Sequence, residues 1–164
     1  MKKVGIVMGS DSDLPVIEKA VAVLRELSIP FEVHVCSAHR TPEKARDFAR
    51  SAGENGFGVI IAAAGMAAHL AGAIAAQTTL PVIGIPCKGP VFDGMDALLS
   101  TVQMPSGVPV ATVGVGAGAN AALLAAEIIA LGDEALAERI SDKRASDAEA
   151  VLAKDAKLSE LRFD

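Results

Sequence analysis

Five short apolar runs punctuate the chain, at Val4 to Met8, Phe31 to Cys36, Val59 to Ala63, Pro81 to Pro86 and Val108 to Val113. Each is too short for a helix and rich in β-branched or small residues, so each reads as a strand. Phe31 to Cys36 alternates apolar and polar positions as a half-buried strand does, whereas Val4 to Met8 is apolar throughout and reads as fully buried. Between the runs the apolar period changes to that of a helix. Asp13 is expected to cap a helix whose apolar face is Val16 or Ile17, Ala20, Val21, Leu24 and Leu27, and Ile29-Pro30 breaks it. Thr41 is a suitable N-cap and Pro42 suits the first helical position, with Ala45, Phe48, Ala49 and Ala52 as the stripe of a helix over 42 to about 54. A small-residue loop at Ala64 to Ala67 leads to a helix of roughly 67–76, and further helices are predicted over 93–103 and 119–131. The last is apolar nearly all round and is expected to be buried.

Strands alternating with helices at this spacing predict an α/β fold: a parallel sheet of about five strands with helices on both faces, a three-layer sandwich of the flavodoxin-like or Rossmann-like class. At 164 residues the chain is read as a single domain, 1–164. From Gly132 onward it turns charged and helix-prone, with a weak apolar stripe that includes Val151 and Leu152. Residues 133–164 are expected to form a C-terminal helical extension, either a surface appendage or an arm onto a neighbouring subunit.

Composition sharpens this picture. A hydrophobic fraction of 51% with only 21% charged residues exceeds the need of a small monomer, which implies a doubly covered sheet or surface lost to oligomerisation. The net charge of -5 argues against a nucleic-acid or anionic-membrane partner, so any phosphate site must be local. Residues 57–76 are about as long as a membrane span, but their three glycines and His69 make them buried core instead. Cys36 and Cys87 each end a strand-like run and read as reduced, buried thiols, which with the lack of a signal-peptide pattern at Met1 to Met8 suggests the cytoplasm.

In a doubly wound sheet, ligands sit beyond the C-terminal strand ends where the strand order switches, which in the flavodoxin-like order lies between the first and third strands. Three loops qualify: Gly9 to Asp13, Ser37 to Thr41 and Ala64 to Leu70. The first can hold a phosphate on backbone N–H groups and the hydroxyls of Ser10 and Ser12, with a carboxylate for ribose hydroxyls, although the same residues also make ordinary turns. It lacks the full dinucleotide and nucleoside-triphosphate fingerprints. His39 and Arg40 place an imidazole beside a guanidinium at a helix start, with a capping His and a surface Arg as the alternative. His34 lies in a strand and reads as structural, His69 as either a packed histidine or a site residue, and Asp11, Asp93 and Asp96 as caps. No spaced ligand set supports a metal at His39 and His69.

Met8 to Asp13, Ser37 to Pro42, Ala67 to Leu70, Gln103-Met104-Pro105 and Asn120 to Ala126 together resemble the 5-(carboxyamino)imidazole ribonucleotide mutases of purine biosynthesis, in order from residue 4 to about 131. The resemblance implies an isomerase that moves a carboxyl group from the exocyclic nitrogen of the ribonucleotide to ring carbon 4, without a cofactor. It implies that Ser10, Ser12 and Asp13 hold the phosphoribosyl group, that Arg40 contacts the phosphate and that His39 carries the proton. Ser37, Ala64, Gly65 and Leu70 would complete the substrate pocket, His69 would orient the carboxylate, and the protein would be a homo-octamer. Three positions depart from the common mutase pattern: Met66 for a usual Gly, Ala71 for a usual Pro, and Ser106 where Arg is frequent. Pro105-Ser106-Gly107 is similar to the branch of aminoimidazole ribonucleotide carboxylases that take free carbon dioxide, but the Ser-Ala-His-Arg hinge and the Met66 to His69 loop are unlike that branch. Readings of another class, a phosphoribosyl sensor, a flavodoxin or a receiver module, fit less well. There is no Trp or Tyr to stack a flavin, and Ala62 to Ala64 end the third strand where a receiver carries its Asp.

Overall fold

A computed structural model describes residues 1–158 and 161. Strands β1 (Lys3–Met8), β2 (Phe31–Val35), β3 (Phe57–Gly65), β4 (Val82–Cys87) and β5 (Ala111–Thr112) form one parallel sheet in the order β2-β1-β3-β4-β5. The order reverses direction between β1 and β3, as the flavodoxin-like reading requires.

The apolar runs are continuous because both faces of the sheet are covered. Val4, Ile6 and Met8 of β1, Val59, Ile61 and Ala63 of β3, and Ile83, Ile85 and Cys87 of β4 point to one side, where they meet helices α1 (Leu14–Glu26) and α5, the latter spanning Gly118–Ala130. The intervening residues Val7, Ile60, Ala62 and Val82 face the other side, against helices α2 (Pro42–Ser51) and α3 (Leu70–Ala75). Helix α4 (Met95–Val102) joins that second layer over Gly84, where an added Cβ would lie 2.4 Å from Thr101 Cγ2. The edge strand β2 is only half-buried, consistent with its alternating sequence.

Several expected details are corrected. Asp13 makes no side-chain cap for α1; Ser10 instead caps a short 3-10 turn over Asp11–Asp13, accepting from the Ser12 N–H. Thr41 is the N-cap residue of α2 with Pro42 following as expected, but its side chain does not bond the helix N–H groups, because its hydroxyl is bound to Ser37, accepting from Ser37 N–H at 2.8 Å and donating to Ser37 O at 3.2 Å. Helix α2 ends at Ser51 rather than near residue 54, the turn to Gly56 closing it. Helix α3 begins at Leu70 because Met66 takes a left-handed φ of 54°, and residues 67–69 turn rather than coil. Only Ala111 and Thr112 of the fifth run pair with β4, since Pro109 lacks the N–H a ladder needs and Gly107 turns with a φ of 95°.

The C-terminal extension is a helix, α6 (Glu134–Lys157), capped by Asp133, whose carboxylate accepts from Leu136 N–H. Its first turns belong to the chain's own core: Leu136 and Ile140 are buried, and Arg139 Nε donates to Leu27 O at the end of α1. Val151 and Leu152 stand in solvent. The remainder of the expected extension, residues 159–160 and 162–164, lies outside the described residues.

Candidate active site

Parallel strands aim their C-terminal ends the same way, so the loops after β1, β2, β3 and β4 surround one cleft of about 430 Å³. Ser10, Ser12 and Asp13 line it from the loop after β1, and Ser37, His39 and Arg40 from the loop after β2. Ala64 and Gly65 come from the end of β3, and His69 and Leu70 from the start of α3. All ten expected site residues therefore meet around a single opening.

His39 Nε2 and His69 Nδ1 lie 2.8 Å apart, with the rings edge to face. One ring donates and the other accepts, so the tautomer of each is tied to that of its neighbour. Arg40 is pinned from two directions: its backbone N–H donates to Ser37 Oγ at 3.2 Å, and its Nη2 donates to Gly9 O at 2.9 Å. The guanidinium is thereby drawn to the β1 loop, on the cleft that Ser10 and Ser12 also line, where its other donors can meet an anion.

Asp13 is the one carboxylate the sequence placed in the cleft that the fold partly buries. Burial raises its pKa above the usual carboxylate value, while hydrogen bonds from the Cys87 thiol and the Ser10 backbone N–H oppose that rise. Burial and the neighbouring Asp13 push the Cys87 thiol up to about 12. Both Cys36 and Cys87 are free and buried.

Sequence reasoning missed the fourth wall, formed by Lys88, Gly89 and Pro90 after β4. The available signal was the apolar run ending at Cys87 followed by Lys88-Gly89-Pro90, a charged turn at a strand's C-terminal end. Lys88 pairs with Asp93 at 2.9 Å, so Asp93 holds a cation at the rim and is not the expected cap, the N-cap of α4 being Gly94. Met66, one of the three departures from the common pattern, also lines the cleft and is 57% exposed. His34 stays outside, against Glu32 and Phe48. Among the described residues, no group of three or more His, Cys, Asp or Glu is placed to hold a metal ion, and no helix is long and apolar enough to cross a membrane.

The family model described as AIR carboxylase matches residues 3–150, which takes in every loop of the cleft. The chain belongs to that family. An N5-carboxyaminoimidazole ribonucleotide mutase of Pyrococcus abyssi is 54% identical over 144 residues, covering 88% of this chain and 83% of the relative. The Mycobacterium tuberculosis protein of the same name is 54% identical over 159 residues, 97% of this chain and 91% of its own. Among solved structures, Treponema denticola PurE superposes with a TM-score of 0.82 at 31% identity, covering 95% of this chain and 98% of that one.

Proposed function

We propose that the protein is a 5-(carboxyamino)imidazole ribonucleotide mutase of purine biosynthesis, giving 4-carboxy-5-aminoimidazole ribonucleotide. The observation that carries this reading is the convergence of His39, Arg40, the Ser10 to Asp13 turn and the small-residue end of β3 on one cleft, in a chain so similar to mutases of that name. Arg40, Ser10 and Ser12 take the phosphate, and Asp13 accepts from ribose hydroxyls. The imidazole ring then lies toward His39 and the wall of Ala64, Gly65 and Leu70.

The chemistry needs one proton moved twice. Breaking the bond between the exocyclic nitrogen and its carboxylate leaves carbon dioxide and an electron pair on nitrogen, which takes a proton from His39. Ring carbon 4 then attacks the carbon dioxide, and the proton displaced from carbon 4 returns to His39 as the ring regains aromaticity. An imidazole suits both directions near neutral pH. The step as written involves no oxidation and no external group, so no cofactor is required. His69, 2.8 Å from His39, fixes that ring's tautomer and orients the carboxylate. Ala64, Gly65 and Leu70 make a close apolar wall that keeps carbon dioxide against the ring.

The test follows the carboxyl carbon. Carbon-labelled N-carboxylated ribonucleotide incubated with unlabelled bicarbonate, at high enzyme and early times, should give product that retains most of its label. Product carrying the isotopic composition of the bicarbonate pool would mark a carboxylase that draws free carbon dioxide and would overturn the mutase reading.

A further inference from the structure

Met66 follows Gly65 at the C-terminal end of β3 and carries a Cβ at a left-handed φ of 54°, a backbone angle that favours glycine. The turn it opens is held on its far side. Ala68 N–H donates to Met66 O and His69 N–H to Ala67 O, both at 2.9 Å, so this angle sets where His69 enters the cleft. Glycine would take the angle without strain, so whatever offsets the strain comes from the methionine side chain. That side chain runs toward the loop after β4. A Cβ on Gly89 would lie 3.4 Å from Met66 Cγ and 4.0 Å from Met66 N, so the side chain starts out against the Gly89 backbone. The residue is nevertheless 57% exposed, on a cleft of about 430 Å³. Among the described residues that line the cleft, Met66 is the one long apolar side chain that solvent reaches. Leu70 is 2% exposed, and the others are small, polar or, in Pro90, a rigid ring.

We propose that Met66 is the cover of the carboxyl-transfer pocket: its thioether side chain closes over the reacting ring of the bound ribonucleotide and keeps carbon dioxide from leaving between cleavage and recapture. This rests on the mutase reading of the same cleft. The physical need is specific. Carbon dioxide is small and uncharged, so the hydroxyls and cations of the cleft hold it weakly, and an open mouth admits water and lets the gas out. Ala64 and Gly65 give a close wall on one side but have no side chain long enough to shut the other. An unbranched thioether with several rotatable bonds can reach across and fit a planar ring without competing for its hydrogen bonds. Gly89, lacking a side chain, leaves room for that movement. With the cover shut, the carbon released from the exocyclic nitrogen forms its new bond to ring carbon 4, and the proton lent by His39 returns to it. With the cover absent, the carbon dioxide is lost, the nitrogen keeps its proton, and free aminoimidazole ribonucleotide leaves the enzyme.

The fate of the released carbon measures the cover. Native enzyme and variants receive carbon-labelled N-carboxylated ribonucleotide in unlabelled bicarbonate. The readouts are aminoimidazole ribonucleotide released per product formed, corrected for spontaneous loss without enzyme, and label remaining in the product. Met66→Gly removes side chain and strain together, so release per product should rise at least about fivefold, with a matching loss of label. Its Tm should stay within about 3 °C of native, because relief of strain and the freer unfolded chain of glycine act in opposite directions. Met66→Asn tolerates the left-handed angle but is too short to reach the ring, and should leak as much as Met66→Gly. Met66→Leu, apolar and of similar volume, should stay within about twofold of native. Native-like release from Met66→Gly overturns the proposal. So does native-like release from Met66→Asn, which would show that the backbone angle suffices without the cover, or leakage from Met66→Leu equal to that of Met66→Gly. A Met66→Gly protein that unfolds far below the native Tm reassigns the residue to packing. Failure of the mutase reading shows separately, in native enzyme whose product already carries the isotopic composition of the bicarbonate pool.

Discussion

His39 and His69 are separated by 30 residues in sequence and by 2.8 Å in space, so each limits which tautomer the other can adopt. If His39 is the proton carrier, an amide of similar shape keeps the fold and the polar contact but cannot shuttle a proton. His39→Asn is expected to fold and bind ribonucleotide while turnover falls at least about a hundredfold, the scale of general acid–base catalysis; turnover near native levels would remove His39 from the mechanism. Arg40 makes a different prediction because its fork serves two acceptors at once, Gly9 O and the expected phosphate. A lysine offers a point charge and cannot do both with fixed geometry. Arg40→Lys should weaken binding of the phosphorylated substrate about tenfold and barely change that of the dephosphorylated nucleoside, as isothermal titration would report. Equal losses for the two ligands would place the guanidinium elsewhere.

At the scale of elements, the site depends on how closely helices approach the sheet. Helix α5 reaches α1 because residue 118 has no side chain: a Cβ there would sit 2.1 Å from Val16 O and 3.3 Å from Ala20 N. Both are backbone atoms of the helix that follows the Ser10 to Asp13 turn, so neither can yield without moving the turn itself. Gly118→Ala should therefore cost more than the usual overpacking penalty, at least about 3 kcal/mol in urea denaturation, and should weaken ligand binding in whatever protein remains folded. A loss below about 1 kcal/mol would mean that α5 can slide. Helix α6 divides along its length for a similar reason. Near its start Leu136 and Ile140 are buried, and Lys143 reaches Glu26 at 3.1 Å, whereas Val151 and Leu152 touch nothing that hides them from solvent. The exposed part of the extension thus begins in the middle of the helix, beyond the turns that complete the chain's own core.

For the whole molecule, the informative feature is apolar surface that the subunit does not cover. Val91, Phe92, Met95, Leu99 and Val102 are 48 to 72% exposed and follow one another along the rim loop and one side of α4. A contiguous apolar strip of this kind marks an association surface, and the family resemblance implies eight copies. Light scattering is expected to return eight times the 16.7 kDa subunit mass, and Leu99→Glu to lower it without altering the circular dichroism of the subunit. A native protein of monomer mass would refute this assembly. Deleting the chain from Ala150 onward should leave the subunit folded, since the buried contacts of α6 lie earlier, and should weaken the assembly if the exposed half of α6 docks on a neighbour.

Local pattern was enough to reveal the strand-helix alternation, the parallel sheet and the three loops expected at its C-terminal edge. Runs such as Val59 to Ala63 and stripes such as Ile17, Ala20 and Leu24 carry their own periodicity, and a chain that alternates strand with helix has few ways to cover both sheet faces. The residues of the candidate cleft were legible for the same reason, since Ser10, Ser37, His39 and Ala64 sit at strand ends that a doubly wound sheet must bring together. What no local pattern encodes is contact between loops. The meeting of His39 with His69, the Lys88 wall and the burial of Leu136 each depend on how far one element stands from another. Those separations are set by side-chain volumes summed across the packed layers, by Gly84 under α4 and Gly118 against α1, and only the tertiary structure contains that sum.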